Sequence, residues 1–443
     1  MPAPEYLSAS ERIAHGKKQR ERLSRVDMRE LRPEERKLDP LHVLRSSCEG
    51  RLQKLLPIKY ARMAVSPFAF FRGAVSIMAA DLGRLPHTGI AVQLCGDAHV
   101  QNLGSYAAPD GKLVFDFNDF DESIRGPWEW DVRRMAASIV LAGREAGHKT
   151  PGCTTAAEAF LERYVASIAG FARQPVLQVA RHQIHREDRV RPVSAALRQS
   201  LRATPADLVR KLTVVGRGGK RRFRDLRPVF WRMRGPIARE VLASLEPYRE
   251  SLRPESLQLF SLFRPIDVAF KVVGTGSVGL RDYVVLFEGN GPADHFFLQI
   301  KQEMPSAYAR YLPDAVYEHE GRRTAFGQRA IQPLSDLLLG WTSLGGHQFL
   351  VRQLNDHKGS IDLTQLRGSG LESLAELAGE LMARGHARSG DACAISGYCG
   401  GGSKLVKSLR LFAGRYADQT DADYRAFLAA IRKKIIKVAE GAV

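Results

Sequence analysis

The sequence predicts an α+β fold with two lobes, one mostly helical and one built around a small antiparallel sheet. Apolar residues recur at helical spacing at 41–82, 132–173 and 371–438. Between these stretches, residues 266–301 form short β-rich runs separated by glycine-rich turns, which is typical of an antiparallel sheet. A chain of 443 residues is also too long for one small core. We therefore expect two lobes that share the chain.

Composition and pattern divide the chain into four segments. Residues 1–40 are polar and charged with little periodicity, which predicts a flexible basic arm. The others are the helical lobe at 41–255, the β-rich lobe at 256–358, and C-terminal helices that pack on the helical lobe at 359–443. Within the last segment, we expect helices at 371–387, 404–416 and 421–438.

The composition predicts a globular protein of the cytoplasm. Hydrophobic residues make up 44% and charged residues 26% of the chain, which excludes a disordered or fibrous protein. No run approaches the roughly 20 apolar residues of a membrane span, and the first residues lack the apolar centre of a secretory signal. The 5 cysteines are odd in number and scattered, which argues against a disulfide framework or a zinc site.

Positive charge is concentrated in one part of the chain. The formal net charge is +18, and residues 181–235 hold 16 Lys and Arg against 4 Asp and Glu. This excess favours anionic partners. A solvated surface and a surface that recognises an acidic or phosphorylated acceptor are both open interpretations. Nucleic-acid binding through the arginines and Phe223, Phe230 and Trp231 is less favoured, because no nucleic-acid fold signature accompanies them.

The first candidate site combines Asp97, Asn102 and Asp116. Asp97 and Asn102 follow the predicted strand 89–94, and Asp116 follows a second strand at 113–115. Mg²⁺ takes oxygen ligands, usually one or two carboxylates together with substrate phosphates. A remaining carboxylate can accept a proton from an attacking hydroxyl. The alternative is that these residues are turn formers and caps.

The second candidate site is a glycine loop. It consists of Gly274, Thr275, Gly276, Ser277, Val278 and Gly279. A dinucleotide fingerprint would open a helix, but here a strand follows at 283–287. The pattern therefore predicts a hairpin whose backbone N–H groups lie over phosphates. A plain β-hairpin with a glycine turn is the alternative.

Lys301 is the third candidate, at the end of the predicted strand 296–301. An ammonium among apolar strand residues is costly unless it meets an anion, and a phosphate supplies one. The alternative is an edge-strand lysine that prevents aggregation. Its position directly after the glycine loop favours the phosphate.

Together these motifs resemble the protein-kinase superfamily, especially the aminoglycoside and choline kinases. Residues 96–102 (GDAHVQN) are similar to the catalytic loop of that branch, H-G-D-x-H-x-x-N. The resemblance implies a catalytic group of Asp97 and His99, Mg²⁺ ligation by Asn102 and Asp116, and a loop-bracing role for Asp131. Asp119 and Asp121 are extra acids that either hold a second cation, for which Asp119 is the preferred ligand, or form a charged loop.

The resemblance also covers the nucleotide side. It implies that the glycine loop and Lys301 hold the phosphates of ATP, and that residues 348–355 are the strand and hinge that receive adenine. In those kinases the glycine loop and lysine precede the catalytic loop, whereas here they follow it by about 170 residues. The implied fold is therefore a circularly permuted protein-kinase-like fold, with a helical catalytic lobe and a small nucleotide-binding sheet.

Longer segments, among them PIKYARM, CGDAHVQN, FDFNDFDE and GTGSVG, closely resemble the bacterial family called domain of unknown function 2252, over roughly residues 40–430. Two features depart from the kinase pattern. Cys95 stands where the catalytic loop usually has histidine. The helical glutamate that should pair with Lys301 is not identified, and the candidates are Glu303, Glu318 and Glu320.

We therefore expect an ATP- and Mg²⁺-dependent phosphotransferase that acts on an unknown hydroxyl-bearing acceptor. The acceptor is a small molecule or a protein, and an anionic one would suit the net charge. Transfer of AMP to a protein and a nucleotide-binding pseudokinase are the alternatives on the same fold.

Overall fold

A computed structural model describes residues 6–31, 36–183, 190–202, 205–216, 219–291, 293–354 and 359–439. The chain is an α+β protein with antiparallel sheets, as the sequence predicted. Two parts of the chain are named below: the helical lobe, formed by the described residues of 6–202 and 359–439, and the β lobe, formed by those of 205–354. Among the described residues, no helix combines the length and apolar composition needed to cross a membrane.

The α-helices of the described residues are α1 Ala9–Lys18, α2 Pro40–Ser46, α3 Leu56–Met63, α4 Pro67–Gly73, α5 Val75–Leu82, α6 Trp128–Glu145, α7 Thr150–Phe171, α8 Val176–Arg181, α9 Arg191–Arg202, α10 Pro205–Leu212, α11 Pro236–Ala243, α12 Leu245–Ser251, α13 Pro254–Phe260, α14 Glu320–Ile331, α15 Gly370–Ser389, α16 Ala392–Cys399 and α17 Ser403–Arg432. The strands are β1 Ala91–Leu94, β2 Leu103–Ala107, β3 Leu113–Phe117, β4 Ile124–Pro127, β5 Thr213–Val215, β6 Arg221–Phe223, β7 Phe230–Arg232, β8 Arg264–Lys271, β9 Asp282–Glu288, β10 His295–Glu303, β11 Gly340–Leu344, β12 His347–Gln353 and β13 Gly359–Ser360.

The helical lobe is built around α6, α7, α15 and α17, which share one apolar core. Helix α6 is buried along almost its whole length, with Trp128 and Trp130 nearly inaccessible to solvent. Helices α7 and α15 approach each other closely, because a Cβ at Gly379 would lie only 2.5 Å from the carbonyl oxygen of Phe160. The C-terminal helices α15 and α17 therefore complete a core that α6 and α7 begin.

The β lobe contains a six-stranded antiparallel sheet in the order β11-β12-β10-β9-β8-β7. The centre of strand β9, residues 284–287, is apolar because it is buried on both faces. Val285 and Phe287 pack towards α11, α12 and α13, whereas Val284 and Leu286 face the opposite cluster, which includes α10 and β6. This alternation has the period of two that a strand imposes on its side chains.

The β lobe begins earlier than the sequence predicted. Strand β7 pairs with β8, and Asp267 of β8 accepts a 2.7 Å hydrogen bond from the backbone N–H of Phe223. Helix α10, β5–β7 and α11–α13 therefore belong to the β lobe, which moves the boundary from 255 to about 205. After β12 the chain returns to the helical lobe, where β13 pairs with β2.

The N-terminal segment differs from the flexible arm expected from its polarity. Helix α1 lies against α16, where a Cβ at Gly16 would be 1.8 Å from the carbonyl oxygen of Ala394. Arg20 and Arg25 donate hydrogen bonds to the carbonyls of residues 397–399 at the C-terminal end of α16. Cations at this end of a helix interact favourably with its dipole and its unpaired carbonyls. The charged side chains of Arg20 and Arg25 thus attach the N-terminal segment to the helical lobe.

The two helices expected at 404–416 and 421–438 are one helix, α17. Its buried stripe continues through the polar stretch between them, since Tyr416, Thr420 and Asp423 are all buried. The Thr420 hydroxyl donates a hydrogen bond to the Tyr416 carbonyl at 2.9 Å, and Asp423 forms an ion pair with Arg36 at 2.8 Å. Internal partners for these polar side chains explain why the helix does not break there.

The docking of α1 gives a matched pair of glycine variants. Gly16→Ala should destabilise the protein and expose α1 to trypsin, because the added methyl collides with the backbone of α16. Gly414→Ala in α17 meets nothing within 4 Å and should stabilise the protein by about 0.5–1 kcal/mol, the usual gain for Ala over Gly in a helix. Thermal unfolding and limited proteolysis measure both effects. A loosely attached arm would instead leave the Gly16 variant as stable as the wild type.

Candidate active site

A cavity of about 530 Å³ lies between the lobes. Nine of the residues singled out from the sequence line it, and they come from three distant parts of the chain: Asp97, His99, Asn102, Asp119, Gly274, Thr275, Gly276, Ser277 and Lys301. Asp116 and Gly279 do not line this cavity. The lobes therefore bring the catalytic-loop motif and the glycine loop to one cleft.

Asp131 holds the loop that carries Asp97. Its two carboxylate oxygens accept hydrogen bonds from the backbone N–H groups of Cys95, at 2.7 Å, and Gly96, at 3.0 Å. Both groups are at the end of β1, where the chain turns sharply at Gly96 with φ of +80°. A carboxylate at the start of the buried helix α6 therefore fixes the turn, which is the bracing geometry that the resemblance implied for Asp131.

One carboxylate oxygen of Asp97 is fixed by a hydrogen bond, and the other is available to a ligand. Its Oδ1 accepts a 2.9 Å hydrogen bond from Nε of the fully buried Arg134. Its Oδ2 has one near neighbour, Nε2 of His99 at 3.6 Å. The side chain is 16% exposed, on the cavity side. This arrangement fixes the orientation of the carboxylate and leaves one oxygen available to a bound hydroxyl.

His99 lies beside Asp97 as a neutral ring. Burial, together with the cations of Arg72 and Arg134, holds the pKa of His99 well below its usual range. Its 3.6 Å contact with Asp97 is therefore not an ion pair at neutral pH. The ring is 2% exposed and packs edge-on against Phe68. His99 thus contributes position and shape to the loop.

Asn102 and Asp119 meet at one end of the β2–β3 hairpin. Asn102 directly precedes β2, and its amide donates to the Asp97 carbonyl at 2.7 Å. Asp119 comes two residues after β3, and the backbone N–H of Asn118 donates to the Asn102 carbonyl at 3.0 Å. The Asp119 carboxylate is 39% exposed, and its ion pair with Lys301 is long, at 3.7 Å. Two oxygen ligands are thus left facing the cavity.

The two ligands suit a cation that is shared with a substrate. Among the described residues, no group of three or more His, Cys, Asp or Glu side chains could hold a metal ion by itself. Mg²⁺ does not need such a cage, because it retains water and binds through one or two protein ligands plus phosphates. The donor set of Asn102 and Asp119 fits this mode of binding.

Asp116 does not belong to the cleft, which corrects its assignment as a metal ligand. It lies within β3, fully buried, and both of its oxygens are 2.6 Å from the same nitrogen of Arg384. Burial raises the pKa of Asp116, and the Arg384 cation opposes that rise. Asp116 therefore closes a buried ion pair between β3 and α15, and Asp119 is the acid of this segment that reaches the cavity.

Lys301 pairs with Asp121, not with a helical glutamate. Its ammonium contacts both Asp121 oxygens and lies 3.7 Å from Asp119. These carboxylates raise the pKa of Lys301 against the opposing effect of burial. The glutamates considered from the sequence have other surroundings: Glu303 accepts from Thr324, Glu320 pairs with Arg323, and Glu318 is 4.0 Å from Arg322.

Helix α14 contributes a cation where a glutamate was expected. Arg323, which is 1% exposed, donates to the backbone carbonyls of Asp121 and Met304 at 2.8 and 2.9 Å, and also to that of Ser123. It thereby fixes the loop that carries Asp121. The sequence did not indicate that an arginine would take the place of the expected glutamate, because Arg323 lies in a helix without any motif.

The glycine loop is held from the helical lobe. Lys59 of α3 donates to the carbonyls of Gly73, Thr275 and Gly276 at 3.1–3.3 Å. Arg51 donates to the carbonyls of Gly276 and Val278, both at 2.8 Å. Among the described residues, no hydrogen bond uses the backbone N–H groups of Thr275 and Gly276. The loop carbonyls are thus occupied, and these N–H groups remain free for an anion.

The last glycine of the loop has a conformational role. Gly279 has φ of +92°, which side-chain-bearing residues rarely adopt, and a Cβ there would be 3.1 Å from the Cβ of Arg51. It lies outside the cavity, so its assignment to cofactor binding is corrected to a turn that lets β9 begin. Ser277, by contrast, lines the cavity and donates to Asp121 at 2.7 Å.

Three further cations line the cavity: Arg72 and Lys271, which were not singled out from the sequence, and Arg352, which lies in the predicted hinge. Within the described residues, none of them forms a salt bridge. The Nε of Arg72 is buried, and no described residue supplies it with a hydrogen bond. Lys271 could have been found from its place at the end of the strand before the glycine loop. The cleft therefore has spare positive charge for an anionic ligand.

The predicted hinge lies at the back of the cavity. Gln353 and Leu354, at the end of β12, line it together with Leu337 and Tyr106. Asn355, the last residue of the predicted hinge, lies outside the described residues. The chain then crosses to β13 in the helical lobe, so this wall of the cavity is a connection between the lobes.

The basic segment 181–235 is separate from the cavity, since none of its described residues lines it. Two of its aromatic residues, Phe223 and Phe230, are each 3% exposed and belong to the core of the β lobe. Trp231 is stacked on Phe270 with ring centroids 4.6 Å apart. Phe223 and Phe230 are therefore not available to stack on bases, which weakens the nucleic-acid interpretation further.

The fold and the cleft are those of a two-lobed α+β protein. The cavity between its lobes is lined by cations that can bind an anionic ligand. The family described as "Uncharacterized protein conserved in bacteria (DUF2252)" matches residues 51–430, and the chain belongs to this family. This confirms the family resemblance of the sequence motifs. Neither a curated protein nor a solved structure matches the chain.

Asp116 and Asp119 are expected to respond differently to the same substitution. Asp116→Asn leaves Arg384 charged and buried without a partner, so it should lower the free energy of unfolding by about 3–5 kcal/mol. Asp119→Asn changes a carboxylate that is partly exposed and should cost less than about 1 kcal/mol. Chemical denaturation measures both. Equal losses of stability would contradict the placement of the two acids.

Lys59 should give the protein a specific pH dependence. Burial lowers the pKa of Lys59 to about 7, so between that value and the unfolded pKa of about 10.4 the folded state binds fewer protons than the unfolded state. The contribution of Lys59 to the free energy of unfolding therefore rises with pH across that window, by up to about 1.4 kcal/mol per pH unit. Lys59→Met should remove this slope, whereas Lys54→Met, at an exposed lysine, should retain it. Unfolding curves at pH 7 to 10 test this, and identical slopes in wild type and Lys59→Met would refute it.

Proposed function

We propose that the protein is an ATP- and Mg²⁺-dependent phosphotransferase that acts on a hydroxyl-bearing acceptor. One observation carries the proposal: a single cavity collects the glycine loop and Lys301 from the β lobe with Asp97, Asn102 and Asp119 from the helical lobe. Each of these types of group has a function in phosphoryl transfer, which depends on positioning and on charge stabilisation.

The order of elements in the β lobe supports a kinase-like fold in circularly permuted order. After α10–α13 and β5–β7, the chain forms β8, the glycine loop and β9, then β10 with Lys301, then α14 and the β11–β12 hairpin. In protein kinases a glycine-rich loop covers the phosphates, the lysine is on the third strand, and helix αC supplies its partner. Here the loop of residues 95–102 precedes all of these elements instead of following them.

The phosphates of ATP would bind between the glycine loop and the cations of the cleft. Thr275 and Gly276, whose backbone N–H groups form no hydrogen bond within the described residues, line the cavity together with Lys271, Lys301 and Arg352. Lys301 keeps Asp121 as a fixed partner and has a third N–H for a phosphate oxygen. Asn102 and Asp119 would hold Mg²⁺, which neutralises charge on the phosphate oxygens when bound. Arg72, with its unpartnered Nε, would add a further positive charge near Asp97.

Asp97 would position the acceptor and receive its proton. The acceptor oxygen forms a bond to the γ-phosphorus, the bond from phosphorus to the β,γ-bridging oxygen breaks, and the hydroxyl proton passes to Oδ2 of Asp97. Arg134 holds Oδ1 and so keeps Oδ2 aimed at the cavity. The products are ADP and a phosphorylated acceptor.

Asp97→Asn should lower ATP turnover by at least about 100-fold while leaving Mg²⁺-ATP affinity within about threefold, because the lost group acts on the acceptor. Turnover is measured as ADP release, with water in the place of the acceptor, and affinity by calorimetry. Asp110→Asn, at the exposed tip of the β2–β3 hairpin, is the matched control.

Three outcomes would overturn parts of the proposal. A wild-type protein that does not bind Mg²⁺-ATP would exclude nucleotide chemistry at this cleft. Binding without turnover would make the protein a pseudokinase, and a product carrying AMP instead of phosphate would make it an AMP transferase. Mass spectrometry of the products separates the last case from phosphate transfer.

A further inference from the structure

A second cavity, of about 370 Å³, adjoins the first at Asp97 and Asp119. The two cavities share four lining residues: Asp97, Asp119, Gly276 and Ser277. We propose that this second cavity is the acceptor site and that it takes a small, polyhydroxylated molecule of the sugar or sugar-alcohol class. This inference rests on the proposed function, since it assigns the acceptor of the same reaction.

The position of the second cavity suits an acceptor. In-line phosphoryl transfer needs the attacking oxygen on the side of the phosphorus opposite the leaving ADP. The shared wall contains the tip of the glycine loop and the two carboxylates, so a γ-phosphoryl group at this wall is accessible from both sides. An acceptor hydroxyl in the second cavity would reach Oδ2 of Asp97 while the nucleotide fills the first.

The walls of the second cavity limit the size of the acceptor. They come from the α2–α3 connection with Arg51, from α3 with Lys59, from Gly73–Ser76 and from the segment 303–311. A volume of about 370 Å³ is at the lower end for small-molecule sites. A protein segment or a nucleic-acid strand would need a longer groove, so the acceptor is a small molecule.

The lining of the second cavity is polar, and some of its polar atoms lack hydrogen-bond partners among the described residues. Glu303 is 4% exposed, and its Oε1 has no hydrogen-bond partner among the described residues. The Ser76 hydroxyl is also buried, and none of the described residues pairs with it. Glu122 uses Oε2 for the backbone N–H of Ala307 at 2.7 Å, and Tyr311 adds an aromatic side chain. A ligand that supplies several hydroxyl groups can pair with all of these polar groups, because each hydroxyl both donates and accepts.

Two of the acids that line this cavity lie in surroundings that disfavour their charge. Burial raises the pKa of Glu303 well above its usual range, with Asp121 adding to the rise, and burial also raises the pKa of Glu122. On the basic side, Arg51 and Lys59 are already committed to backbone carbonyls, which leaves Arg310 as the further cation of the lining. Against it stand six acidic side chains, so hydroxyl groups match the lining better than a second phosphate: Glu49, Asp97, Asp119, Asp121, Glu122 and Glu303.

The test incubates the full-length protein with Mg²⁺ and γ-labelled ATP in the presence of one probe at a time. The polyol probes are glycerol, D-ribose, D-glucose and myo-inositol, and the others are ethanolamine, casein and polyuridylic acid. We expect label on at least one polyol and on none of the others. Label only on ethanolamine, casein or RNA, or on no probe, overturns the assignment.

Variants of the cavity separate acceptor binding from nucleotide binding. Glu303→Ala and Ser76→Ala should raise KM for the labelled polyol by about tenfold or more, because they remove hydrogen bonds to its hydroxyl groups, with Mg²⁺-ATP affinity unchanged. Glu318→Gln, at a side chain 92% exposed, is the matched control and should change neither. An unchanged KM in both cavity variants overturns the site. Failure of the wild type to bind Mg²⁺-ATP refutes the proposed function itself, which is a different result from binding and turnover without polyol phosphorylation.

Discussion

The buried contact of Lys301 with Asp121 is the interaction on which the cleft depends. It joins the sheet to the loop after β3, and Ser277 of the glycine loop donates to the same carboxylate. Three segments that are far apart in sequence therefore meet at one carboxylate. Removing one partner of a buried pair costs about 3–5 kcal/mol, because the other charge is left without compensation. The contact thus holds the lobes in register, and it keeps the ammonium directed at the cavity.

The other polar side chains around the cleft form hydrogen bonds with backbone groups instead of with one another. Asp131 accepts from the N–H groups before Asp97, Arg323 donates to carbonyls of the acidic loop, and Lys59 donates to carbonyls of the glycine loop. Buried charges that bind backbone groups satisfy polar atoms that would otherwise be unpaired in irregular segments. This is why loops with few apolar contacts can present fixed geometry.

Much of the fold could be predicted from local pattern, and the failures have physical causes. The apolar run of β9 and the helical spacing of α15 are properties of short segments, and both were predicted within two residues. The docking of α1 could not be predicted, because its partners, the carbonyls of α16, lie more than 370 residues away and leave no periodic signal. Asp116 was assigned to the first Mg²⁺ because it matched a motif, and Asp119 was assigned only to a second cation. Its position between Phe115 and Phe117, inside a strand, was the sign that it is buried, whereas Asp119 follows the end of that strand.

The insertion of one lobe into the other also has a consequence for how the protein is made. The β lobe is continuous in sequence, so its sheet and covering helices can form once residue 354 has left the ribosome. The helical lobe is split, and α7 cannot bury its apolar face until α15 has been synthesised about 200 residues later. The nascent chain must therefore carry an incomplete helical core next to a finished sheet. Such exposed apolar surface is prone to aggregation, and its contacts of long sequence separation form slowly.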